Sequence, residues 1–135
     1  MIYLASPYTD KRDHVMADRY ERARTAAAWL TGLRLHVYSP IVHGHAIAEK
    51  AQGLLGRGGI PREFEFWEAH CLHMLRGCES MWIVPLDGWL ISKGIDSEVK
   101  FCQEFPIPIK VIDLDWEDRV VELKEPKLIP LYTGE

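Results

Sequence analysis

At 135 residues, 47% hydrophobic and 27% charged, the chain has enough apolar material for one core and too much for a disordered or collagen-like polymer. Sixteen Lys and Arg against twenty Asp and Glu give a formal net charge of −4, which supplies no broad basic field for extended nucleic acid or an anionic membrane, so any bound anion has to be gripped locally. No run reaches the roughly 18 apolar residues of a membrane span, and the N-terminus lacks the basic-then-apolar pattern of a signal peptide, so a cytoplasmic protein with no membrane partner is expected.

Met1-Ile2-Tyr3-Leu4-Ala5 is a short apolar run stopped by Ser6-Pro7-Tyr8, the pattern of a buried first strand. From Asp13 onward, Met16, Tyr20, Ala23, Ala27 and Leu30 recur at spacings of three and four, and Gly32 stands where a helix C-cap belongs. Leu33 to Tyr38 alternates and ends at Ser39-Pro40, which predicts a second strand. The Gly- and His-containing segment from there through Gly59 reads as a long loop. After Pro61, the stripe Phe64, Trp67, Cys71, Met74 or Leu75 and Cys78 predicts a second helix, and the continuous run Met81 to Leu86 a central strand covered on both faces. A loop from Asp87 to Lys93 leads to a third helix marked by Ile95, Val99, Cys102 and Phe105, and then to a strand over Ile107 to Ile112.

The remainder, 113–135, carries Pro126, Pro130 and short apolar groups at Val120-Val121 and Leu128-Ile129, and reads as an edge strand or packing arm of the same single domain, 1–135. Cys71, Cys78 and Cys102 lack CxxC pairing and sit among apolar residues, as reduced core thiols do. The order β-α-β-α-β-α-β implies an α/β protein with a doubly wound, mostly parallel, Rossmann- or flavodoxin-like sheet and helices on both faces. Ligands then bind beyond the carboxyl ends of the strands, at the loops Ser6 to Asp10, Ser39 to His45 and Asp87 to Gly94.

Ser92-Lys93-Gly94-Ile95-Asp96-Ser97-Glu98 joins a strand end to a helix start. Free N–H groups and the helix dipole there favour an anion such as phosphate and are expected to keep Glu98 ionised, and an ionised carboxylate can attack an anomeric carbon. The plain alternative is that Ser92 caps the helix and Glu98 is a solvated acid. His43 and His45 follow the second strand, where an imidazole can hand a proton to a departing base or bind phosphate. A metal on this His-x-His pair lacks an evident third ligand. Asp87, at the central strand's end, either binds a sugar hydroxyl or caps its turn. Arg57, Arg62 and Lys93 are candidates for neutralising phosphate, while Tyr8 and Trp89 can each stack on a base or anchor a loop.

Three features together resemble the nucleoside 2-deoxyribosyltransferase-like superfamily over about residues 1 to 112. They are the opening Ile2-Tyr3-Leu4-Ala5-Ser6-Pro7-Tyr8, the turn Leu75-Arg76-Gly77-Cys78-Glu79, and Ser92, Gly94 and Glu98 in the spacing Ser-x-Gly-x-x-x-Glu. With Asp87-Gly88-Trp89 before Ser92 and Gly94, the chain looks most like a poorly characterised bacterial and phage branch of that superfamily. The resemblance implies Glu98 as nucleophile, Tyr3 as the residue that positions it, and Ser92 as a phosphate contact of the kind found in nucleoside 5′-monophosphate N-glycosidases, where the transferases carry Asp. Ser6, Tyr8, His43, His45, Asp87 and Gly94, chosen by their place in the loops at the strand ends, complete the expected substrate site. The implied ligand is a small nucleotide or nucleoside, with no cofactor or metal, bound by a homo-oligomer. One departure stands out: Cys71 occupies a place where the family usually has an acid, and His70 or Glu68 is the candidate to supply the missing polar contact.

The expected activity is cleavage of a nucleoside 5′-monophosphate into base and sugar phosphate through a covalent glycosyl-Glu98 intermediate, with transfer of the sugar to another base as a variant. The alternative is a non-catalytic nucleotide-binding or sensing module on the same fold. A third possibility is the same carboxylate chemistry on a nicotinamide or ADP-ribose type bond.

Overall fold

The computed structural model describes residues 1–56, 58–113 and 125–131. Arg57 and the Val120-Val121 group lie outside the described residues. In chain order the elements are β1 (Ile2–Ala5), α1 (Asp13–Gly32), β2 (Val37–Tyr38), α2 (Pro40–Leu54), α3 (Phe64–Arg76), β3 (Ser80–Ile83), a single 3₁₀ turn (Trp89–Ile91), α4 (Lys93–Glu104), β4 (Ile109–Ile112) and β5 (Leu128–Pro130). The strands form one sheet in the order β2-β1-β3-β4-β5. All neighbours are parallel except β4 and β5, which pair antiparallel with Val111 opposite Ile129. This is the α/β, doubly wound, mostly parallel arrangement read from the sequence, and Leu128-Ile129 is indeed an edge strand.

Strand alternation divides the core in two. Tyr3, Ala5, Met81 and Ile83 face α3 and α4 and pack with Cys71, Leu75, Ile95 and Cys102. Leu4 and Val84 face the other way, onto Ala26, Trp29 and Leu30 of α1. The central position of β3 therefore needs apolar residues on both faces, which is why its run is continuous. All three cysteines are free and buried.

Gly32 is the last residue of α1, with Leu33 rather than the expected glycine as C-cap, and β3 stops at Ile83, short of Leu86; two elements differ more from expectation. The second strand is only Val37–Tyr38, because the chain leaves α1 through Arg34 at φ 67°, a left-handed turn that an alternating strand cannot contain. Residues 40–54, expected as loop, are helical. Ser39 is its N-cap, its Oγ accepting the Val42 N–H at 3.2 Å, and Pro40 fills the first helical position, where the missing N–H costs nothing. Buried Ala48 and Ala51 dock this helix.

In this sheet order the connections leaving β1 and β3 diverge to opposite faces, so the crevice opens between these two strands at their carboxyl ends. The segments 6–12 and 84–92, which leave those strands, are thereby brought to one place.

Candidate active site

A cavity of about 880 Å³ lies over that crevice, with walls from both segments, from α2 and α3, and from the start of α4. Lys11, Arg12, Arg19, Arg62 and Lys93 line it against Asp10, Glu63, Glu65 and Glu98, a basic balance inside an acidic chain. Arg12 is engaged by Asp10, its Nε donating to Oδ1 at 2.9 Å, whereas Arg62 and Lys93 form no ion pair with a described residue.

Glu98 is the most deeply set polar group of the cavity, 4% exposed. It lies in the second turn of α4, on the face turned toward the sheet, and the Tyr3 hydroxyl donates to its Oε2 at 2.5 Å. Burial pushes the carboxyl up to about 8, with the Tyr3 hydrogen bond acting in the opposite direction. This corrects the expectation that the helix dipole keeps Glu98 ionised. The dipole acts on the first turn, and one turn further in desolvation prevails. Tyr3 is itself held well above its ordinary range, first by burial and then by the neighbouring Glu98, so it remains a proton donor.

Cys71 of α3 lines the same wall, its thiol pushed to about 11 by burial and then by Glu98. Neither proposed substitute for the missing acid reaches the cavity wall. Glu68 accepts from Ser97 Oγ at 2.8 Å, and His70 Nε2 pairs with the Tyr38 hydroxyl at 2.9 Å.

At the start of α4, Ser92, Lys93 and Gly94 all line the cavity. Ser92 is the N-cap, its Oγ accepting from the Ile95 N–H at 3.2 Å, which leaves the Lys93 and Gly94 N–H groups without intrahelical partners. Capping and a place in the wall are thus both true of Ser92. A side chain at Gly94 would put its Cβ 3.1 Å from Phe64 Cδ1, a tight contact that the Phe64 ring would have to yield to by a few tenths of an ångström. Ser6, 7% exposed, also lines the cavity, and its Oγ is a buried polar atom with no hydrogen-bond partner among the described residues. A ligand oxygen would satisfy it.

Also in the cavity wall, the Tyr8 hydroxyl and His45 Nδ1 share a 2.6 Å hydrogen bond, and Tyr20 of α1 stacks on the imidazole at 4.0 Å. Burial and then the Arg62 cation hold His45 below its ordinary range, so it is neutral near pH 7. His43 does not line the cavity. Two residues along a helix is about 200° of rotation, and His43 instead stacks on His70 at 4.9 Å beside Trp67 and Tyr38. The Asp87 side chain is exposed and outside the wall, and Trp89 packs against the core cluster as a loop anchor.

Thus Glu98, Ser6, Tyr8, His45, Ser92 and Gly94 share one cavity with Tyr3 directly behind Glu98, while His43 and Asp87 stand apart. Met16, Arg19 and Phe64 are wall residues that the sequence reading passed over as helix faces. Among the described residues no group of three or more His, Cys, Asp or Glu is placed to hold a metal ion, and no helix is long and apolar enough to cross a membrane.

Residues 1–113 match the model of a family described as a domain of unknown function, DUF1937. The chain belongs to that family. No curated protein matches it. The matched span takes in every residue of the cavity wall, so the site of this DUF1937 domain lies wholly inside the family's own fold unit.

Proposed function

We propose that this DUF1937 domain is an N-glycosidase of the nucleoside 2-deoxyribosyltransferase-like kind, acting on nucleoside 5′-monophosphates. One observation carries the reading: a buried carboxyl, held by a tyrosine, stands in the wall of a cavity into which a helix N-terminus also opens. The carboxyl suits attack at an anomeric carbon, and the Lys93 and Gly94 N–H groups with the Ser92 hydroxyl suit a phosphate.

Glu98 bonds to C1′ as the C1′–N bond breaks, and the departing base takes a proton from His45. Water then cleaves the glycosyl ester, giving sugar phosphate and restoring Glu98. A second base in place of water makes the reaction a transfer.

Proton placement follows from the two shifts. Near pH 7 Glu98 is protonated and His45 neutral, and moving that one proton from Glu98 to His45 creates nucleophile and acid together. Below the lowered His45 range both groups are protonated and the nucleophile is lost. Above about 8 both are deprotonated and the acid is lost. The pH–rate profile is therefore bell-shaped, with its alkaline limb near 8.

The neutral state of Glu98 also favours a second reading, a nucleotide-sensing module that binds without turnover, since a protonated carboxyl is no nucleophile. The test is to incubate the protein with ribo- and deoxyribonucleoside 5′-monophosphates and the matching nucleosides, following free base by chromatography and binding by calorimetry. Base released from monophosphates in preference to nucleosides supports the glycosidase. Binding without release supports the sensor, and neither binding nor release overturns both.

A further inference from the structure

Asp87-Gly88 remains unexplained by this reading, because the Asp87 side chain takes no part in the cavity wall. What the segment offers instead is a carbonyl and a space. Arg19, on α1, donates from Nη2 to the Asp87 carbonyl at 2.9 Å, and from Nη1 to the Tyr8 and Thr9 carbonyls at 3.2 and 3.1 Å. One guanidinium therefore ties the segment leaving β1 to the segment leaving β3. These are the two strands between which the sheet's connections diverge.

Gly88 makes room for it. Its φ of 91° is a left-handed conformation that other residues adopt only with strain, and a Cβ there would lie 2.7 Å from Arg19 Nη2. Among the described residues, no hydrogen bond of Arg19 goes to a carboxylate. A charged planar fork bonded to three carbonyls has geometry as its product: lysine carries the same charge but cannot span the three acceptors from one rigid plane.

We propose that Arg19 is a positioning residue that clamps the two ligand segments against each other, with the Asp87 carbonyl and the side-chain-free Gly88 as its docking point. It fixes the separation between Tyr8 on one wall and Ser92 on the other, and so the span available to a ligand. This rests on the cavity being the ligand site, and not on the reaction assigned to it.

Amide hydrogen exchange on the full chain tests the clamp without any ligand. In Arg19→Ala and Arg19→Lys, peptides covering residues 6–12 and 86–92 are expected to exchange together about tenfold faster, the factor matching a net loss of roughly 1.4 kcal/mol, while a peptide over 107–112 reports an intact sheet. Gly88→Ala, which keeps the guanidinium but obstructs its seat, is expected to speed both segments, and to add little when combined with Arg19→Ala. Faster exchange in only one segment, no change in either, or simple addition of the Gly88→Ala and Arg19→Ala effects overturns the clamp. If Arg19→Ala also loosens 107–112, the decision passes to Arg19→Lys and Gly88→Ala, read on the same peptides.

Calorimetry with adenosine 5′-monophosphate then separates the two proposals. Weaker binding by Arg19→Lys than by wild type links the clamp to the ligand, and equal binding by the two overturns that link. An absence of binding even by wild type removes the nucleotide reading and leaves the exchange result standing.

Discussion

Among the described residues, Tyr3, Tyr8 and Tyr38 each bond through the hydroxyl to a carboxyl or an imidazole, and their surroundings separate them. Glu98, backed by Tyr3, and the Tyr8–His45 pair belong to the cavity wall, whereas Tyr38–His70, with His43 stacked on it, is a half-buried cluster of β2, α2 and α3 outside that wall. Burial drives the acid up and the base down, so both cavity pairs rest in their neutral forms with one transferable proton between them. The third pair is built from the same groups but lies outside the cavity wall. Composition of a cluster therefore says less than which way its helix turns it.

The sharpest way to break this contrast is to remove the acid. Glu98→Gln is expected to lower base release by a factor on the order of 10³ or more, measured by chromatography at saturating monophosphate, because the nucleophile acts as a unit with its partners. The same variant tests the burial argument through stability. Glu98 has a folded pKa near 8 against an ordinary value of 4.5, so the folded state holds more protons, and wild-type stability from this group falls as pH rises from about 4.5 through about 8. Glutamine has no such dependence, so the Tm of Glu98→Gln relative to wild type should rise between pH 5 and pH 9.

Next in size is the pair of histidines. His45→Ala should cost about 10²-fold in base release and erase the alkaline limb of the pH profile, since the proton donor is gone. His43→Ala should leave release unchanged and cost about 1 kcal/mol of stability, the worth of its ring contacts, read by denaturant unfolding. Equal effects on turnover from the two variants would collapse the distinction between the clusters.

Smaller again is Tyr3→Phe. Its hydrogen bond lowers the Glu98 pKa, so its loss raises that pKa further and moves the alkaline limb above 8, with roughly a tenfold fall in rate at neutral pH. Ser92→Ala is the least severe. Loss of the cap costs about 1 kcal/mol, a drop of roughly 3–6 °C in Tm, together with weaker binding of monophosphates than of nucleosides.

The sheet was legible because its strands are short apolar runs with stops, and because β3, apolar on both faces, declares itself central. Helix α2 was not, although Ser39-Pro40 is a cap followed by a first-turn proline. Gly44 and Gly53, the glycines beyond at Gly56, Gly58 and Gly59, and two histidines lower local helix propensity, and tertiary docking of Ala48 and Ala51 overrides it. That single misreading also placed His43 and His45 side by side, when the helix sends them apart. Glu98 could be picked out by spacing, but its charge state depends on Tyr3, 95 residues away in sequence, and on burial that no local pattern encodes. Arg19 stands outside the apolar stripe of α1, as its other arginines do. Nothing near it in sequence signals that Gly88 is its seat.

The account stands most directly on Glu98 as the attacking group. The measurement is free base released from nucleoside 5′-monophosphates by wild type and by Glu98→Gln at matched occupancy, each shown folded by its thermal transition. The account predicts release by wild type, and binding without release by the variant. Release by Glu98→Gln at the wild-type rate would contradict it, and so would a wild type that binds monophosphates and frees no base.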